Sequence, residues 1–155
     1  MCWQCDHPGA TRQDYLDVLR GTVMKNGWAV QYVEAEPPFA YSVGLAEASL
    51  PELLITGLPP ERSLLLINTV ADYMVGEVAP APGDTFTFPD RSCAEFVEVI
   101  HPDVHMGWAV AFRNGPIRGL QIVWHDDHGH SPWCPDFNRG GRRQPVLGVR
   151  GPVDT

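Results

Sequence analysis

Three strand-like segments in succession, with no helical period between them, most constrain what this chain can fold into. Residues 28–33 alternate in the manner of a strand until Pro37-Pro38 ends the run. Residues 39–45 form a second segment closing at Gly44, and residues 53–58 a third, bounded by Pro51 and Pro59. A doubly wound fold requires regular alternation of strand and helix, so this run points to antiparallel neighbours instead.

A helix is predicted on each side of it. Thr11 or a neighbour is expected to cap the first, which runs to about Asn26 with Tyr15, Leu16, Leu19, Val23 and Met24 on one apolar face and Gly27 as its stop. The second opens at Pro59-Pro60-Glu61, where a proline's missing N–H costs least and an acid meets the positive end of the helix dipole. Its expected buried stripe is Leu64, Ile67, Ala71, Met74 and Val75, ending at Gly76. Short strands are then expected at 85–88, 95–100, 108–112 and 120–124. The order α-βββ-α-ββββ predicts a single α+β domain: a mostly antiparallel sheet of about six to seven strands with two main helices. Gly27-Trp28-Ala29-Val30 recurs as Gly107-Trp108-Ala109-Val110; four residues are too few to mark two related halves, and a shared way of starting a strand is the better explanation.

The globular domain is expected over 1–134. From Pro135 the chain turns proline-, glycine- and arginine-rich, and 135–155 is expected to be a tail, partly docked or flexible. Four arginines against two aspartates give that tail a net +2 and leave −10 on the rest. Gln144-Pro145-Val146-Leu147 is its one segment apolar enough to dock. With a net charge of −8 and a pI near 5.0, nucleic acid is not the expected partner. Apolar runs such as Leu64-Leu65-Leu66-Ile67 fall far short of a spanning helix, and the opening residues lack the pattern of a cleaved signal. The chain is therefore expected to be soluble and cytoplasmic, with no membrane partner and with a small molecule or a protein as its unidentified ligand. Reducing conditions make Cys2, Cys5, Cys93 and Cys134 a poor disulfide framework.

Reactive side chains are densest in Trp124-His125-Asp126-Asp127-His128-Gly129-His130-Ser131-Pro132-Trp133-Cys134. If the chain stays extended beyond Trp124, period-two alternation puts Asp126, His128 and His130 on one face. One carboxylate and two imidazoles are a facial ligand set for a divalent metal, and without metal they are an acid–base pair. Asp126 and His128 are accordingly the catalytic candidates, with hydrolysis the least arbitrary chemistry. Cys2-x-x-Cys5 supplies half of a tetrahedral zinc site that Cys134 or a clustered histidine would have to complete. The candidate ligands for zinc or another divalent metal are Cys2, Cys5, Asp126, His128, His130 and Cys134. Tyr41, Glu52 and Trp133 are the candidate ligand-binding residues, expected to meet Asp126 at one pocket. Two other readings compete with this one: an acidic protein-interaction module without enzymatic activity, and a thiol redox protein using Cys2 and Cys5. Walker A, Gly-x-Gly-x-x-Gly, His-Glu-x-x-His and Gly-x-Ser-x-Gly motifs do not occur.

Several segments together resemble the bacterial domain-of-unknown-function family DUF4262. They are Met1-Cys2-Trp3 with Cys5-Asp6-His7-Pro8, Gly27-Trp28, the run from Pro38 to Leu45, the run from Leu50 to Leu58, Leu66-Ile67-Asn68 and Pro82-Gly83. Gln121-Ile122-Val123-Trp124 with Asp126, Gly129, Pro132 and Trp133 also belongs to the pattern, as does Gln144-Pro145-Val146-Leu147. The family pattern carries threonine where Ser42 stands and often proline where His125 stands, so the resemblance favours Asp126 and Trp133 over His125. It implies a bacterial protein with a shared fold and brings no established activity, cofactor or catalytic residues.

Overall fold

The computed structural model describes residues 6–151. Helix α1 (Arg12–Asn26) begins at a capping box: Thr11 Oγ1 accepts from Asp14 N at 3.1 Å and Asp14 Oδ2 accepts from Thr11 N at 2.8 Å. It stops at Gly27, whose φ of 95° few residues but glycine adopt and whose N–H returns to Val23 O. Strands β1 (Ala29–Val33), β2 (Phe39–Val43) and β3 (Glu52–Thr56) then form an antiparallel meander, as the sequence order predicts. Helix α2 (Pro60–Gly76) follows, and β4 (Thr85–Thr87), β5 (Cys93–Glu98) and β6 (Gly119–Trp124) build a second antiparallel set.

These two sets meet in one six-stranded sheet of order β1-β2-β3-β6-β5-β4, joined by the parallel pair β3–β6. The fold is thus α+β with a mostly antiparallel sheet. Helix followed by three strands occurs twice, and the two helices cover opposite faces, as rotation about an axis along the strands requires. On one face Leu66, Ile67, Val70, Ala71 and Met74 of α2 pack on Ala40, Leu53, Ile55, Phe96, Leu120 and Ile122. On the other, Leu19 and its neighbours on α1 join Ala29, Tyr41, Val43 and Leu54.

Three local expectations are corrected. Residues 108–112 are not a strand: they lie in helix α4 (Gly107–Arg113), which follows the one-turn helix α3 (Pro102–His105). Trp108, Val110 and Phe112 satisfy a period of two, but Ala109 and Phe112, three apart, are the buried pair, and Asn114 at φ 55° closes the helix. The repeated Gly-Trp-Ala-Val therefore enters a strand once and a helix once; the repeat in this fold is topological. Leu64 and Val75 are exposed, because the buried stripe of α2 runs through Ser63, Leu66, Ile67, Val70, Ala71 and Met74. Met24 is 82% exposed, off the buried face of α1.

The part of the second face beyond α1 and α4 is covered by residues 144–151. Pro145 O accepts from both Thr56 Oγ1 and Gln121 Nε2 at 2.7 Å, and Gln121 Oε1 accepts from Leu147 N at 2.7 Å. The Gln144 side chain pairs with Trp124 N and O as a strand backbone would, at 3.1 and 2.8 Å. Arg150 forks onto the buried Glu95, with both bonds at 3.1 Å. No helix among the described residues is long and apolar enough to cross a membrane.

Candidate functional site

Strand β6 delivers the histidine-rich segment to one end of the sheet, and there the chain turns rather than staying extended. His125 N makes the last bond to β5, at Cys93 O. Asp126 then folds the next residues around its own carboxylate: Oδ1 accepts from His128 N at 2.9 Å and His130 N at 2.8 Å, and Oδ2 accepts from Asn138 N at 2.7 Å. Asp126 N donates to His130 O, and Gly129 sits at φ 81° inside the loop. Aspartate's tendency to bond the backbone two residues on outcompetes continued strand, so the expected common face of Asp126, His128 and His130 does not form. Desolvation works to raise the Asp126 carboxyl, but the backbone N–H groups of His130, Asn138 and His128 outweigh it and hold the pKa at about 2.

The turn brings together a different set. Cys134 N bonds Ser131 O, Phe137 N bonds Cys134 O, and the fully buried Phe137 ring lies 5.3 Å from the Trp124 ring. That anchor folds the chain back, and one donor atom each from His130, Cys134 and Asp136 falls within 4.8 Å of the others. His130 and Cys134 are half-buried and Asp136 is exposed. The His130 Nδ1 atom is buried without a hydrogen-bond partner, 3.5 Å from Asp126 Oδ2. A carboxylate this close to an imidazole favours one orientation of the ring. His128 lies outside this group: its Nε2 faces the Arg139 guanidinium at 3.1–3.3 Å, a cation where a second cation is unwelcome.

The other expected site residues are dispersed. Tyr41 is buried on the α1 face, its hydroxyl accepting from Trp108 N at 3.0 Å, and it opens onto a different cleft from Asp126. Glu52 is enclosed at the start of β3, where Oε1 accepts from Ser42 Oγ and Leu45 N, and Oε2 from Gly44 N and Ala46 N. Burial pushes its carboxyl above the ordinary value, against those same bonds. Gly44 turns here at φ 107°, and a Cβ on it would meet the Val23 side chain at 2.8 Å, so the close approach is made by α1. Trp133 lies beneath the Arg150 guanidinium, 4.3 Å from the ring centroid. His125 has a buried, unpartnered Nε2, and desolvation lowers its pKa against the pull of Glu95 and Asp126, with Arg150 adding to the lowering. Cys2 and Cys5 lie outside the described residues.

Asp136 was not singled out by sequence reasoning. Its only local signal is the spacing His130-x-x-x-Cys134-x-Asp136, because what makes it a neighbour of His130 is the packing of Phe137 on Trp124.

The family model for a domain of unknown function, DUF4262, matches residues 22–138, a span that contains His130, Cys134 and Asp136. No curated protein and no solved structure matches the chain.

Proposed function

We propose that this chain, which belongs to the DUF4262 family, is metal-binding, with His130, Cys134 and Asp136 holding one divalent ion of the zinc class. The observation that carries this reading is the gathering of three unlike donors, imidazole, thiol and carboxylate, within 4.8 Å. Around zinc such donors would stand about 3.5 Å apart, from bond lengths of ~2.0–2.3 Å, so side-chain adjustments of about 1 Å close the site. A thiolate in the set selects against magnesium and calcium, which take oxygen ligands. Three protein donors leave a position for water or an exogenous ligand, the arrangement of zinc sites that do chemistry. Asp126, ionised and fixed by three backbone N–H groups, acts as a positioning residue against His130.

The test is metal content and zinc titration of protein purified without a histidine tag. The expected result is one zinc per chain, lost in Cys134→Ser and His130→Ala and kept in His128→Ala. Stoichiometric zinc that survives Cys134→Ser and His130→Ala but is lost from a Cys2→Ser/Cys5→Ser variant would move the site to the Cys2-x-x-Cys5 pair. Substoichiometric metal indifferent to all of these variants would remove the reading.

A further inference from the structure

A second concave site lies on the α1 face of the sheet and shares no residue with the proposed metal centre. It is a cleft of about 440 Å³, lined by Arg12, Val33, Tyr41, Gly107 and Trp108. That volume is in the range of small-molecule sites.

Its chemistry is one-sided. The Arg12 guanidinium lies 5.6 Å from the Trp108 ring centroid and has no carboxylate partner among the described residues, although the chain carries a net −8. Seven other arginines are engaged by acceptors: Arg62 with Asp90, Arg113 with Glu47, Arg118 with Glu98, Arg142 with Glu36, Arg150 with Glu95, Arg143 with backbone carbonyls and Arg139 with His128 Nε2. Arg20, over the Phe112 ring, and Arg91 share with Arg12 the lack of an acceptor among the described residues but line no part of this cleft. Tyr41 is only 2% exposed, yet it lines the cleft. Its hydroxyl oxygen accepts from Trp108 N, while its own proton has no acceptor among the described residues. Burial pushes the phenol up to about 12, so it remains a donor at any physiological pH. Two donors, with no carboxylate among the described residues that line the cleft, call for a ligand bearing acceptor oxygens. The indole of Trp108 and the side chain of Val33 call for a flat apolar body.

We propose that this cleft binds a small planar carboxylic acid, its ring against Trp108 and Val33 and its carboxylate between the Arg12 guanidinium and the Tyr41 hydroxyl. Paired donors suit the two oxygens of a carboxylate, and an arginine fork recognises that group with charge-assisted bonds. Gly107 leaves open space beside them, since a Cβ there would meet no atom within 4 Å.

The test uses the full chain, isotope-labelled with nitrogen-15, with indole-3-acetate and phenylacetate as probes and indole-3-acetamide as the uncharged control. Saturable shifts at the Trp108 indole and the Gly107 amide are expected for the acids. Arg12→Gln should weaken indole-3-acetate by about five- to tenfold, and the amide should be weaker by a similar factor, the effect of one partly solvated charge-assisted bond. Arg12 is exposed, so that variant keeps the fold; Tyr41→Phe should weaken the acid further and is read only where its spectrum is native-like. No saturable shift at Trp108, equal affinity for acid and amide, or unchanged binding in Arg12→Gln would each overturn the proposal.

Discussion

Ser42 Oγ donates to Glu52 Oε1 at 2.7 Å while accepting from Leu53 N at 2.8 Å, so one hydroxyl serves a buried carboxylate and a strand N–H at once. Both residues are essentially inaccessible to solvent. Ser42→Ala leaves two buried polar groups short of a partner and is expected to cost about 2–4 kcal/mol. Ser42→Thr keeps the hydroxyl and should cost less than about 1 kcal/mol. Urea denaturation of the two variants beside the parent checks the difference.

Asp126 gives the chain an acid-sensitive turn. Its carboxyl sits at about 2 in the folded state against 3.8 ordinarily, so between these values the unfolded chain binds the proton first. The stabilisation is complete above about pH 4 and is lost as pH falls toward 2. Asp90, held at about 2 mainly by Ser92, with Arg62 adding, contributes in the same window. Asp126→Asn should therefore flatten the slope of stability against pH between about 4 and 2 only in part, as thermal melts across that range would register.

Arg150 holds the last described segment to the sheet through Glu95, whose side chain is 3% exposed. Breaking a fully buried pair costs about 3–5 kcal/mol, but Arg150 is itself 39% exposed, so Arg150→Ala is expected to cost about 2 kcal/mol. A double-mutant cycle with Glu95→Gln should return a coupling of about 1 kcal/mol or more. A coupling near zero would mean that the stacking on Trp133 alone keeps Arg150 in place.

What could be read from the sequence is what is decided locally. The cap at or next to Thr11, the stop at Gly27 and the Pro59-Pro60 start of α2 have partners within a turn, so the residues alone place them; the reciprocal bond to the Asp14 carboxylate is seen only in the structure. Trp108-Ala109-Val110-Ala111-Phe112 fits both periods, and its packing against Tyr15 and Tyr41 decides for helix. The course of 144–151 depends on Thr56, Gln121 and Glu95, residues about 25 to 90 positions away, which no local pattern announces. The same holds at the candidate site. The density of reactive side chains marks the segment, but the Asp126 turn removes His128 from the group and the Phe137 anchor brings in Asp136.

Crystals of the chain soaked in zinc and measured on both sides of the zinc absorption edge test the metal centre most directly. The account predicts one anomalous peak about 2.0–2.3 Å from a His130 ring nitrogen, Cys134 Sγ and an Asp136 carboxylate oxygen. A map with no peak there, or with its strongest peak away from these three residues, would contradict it.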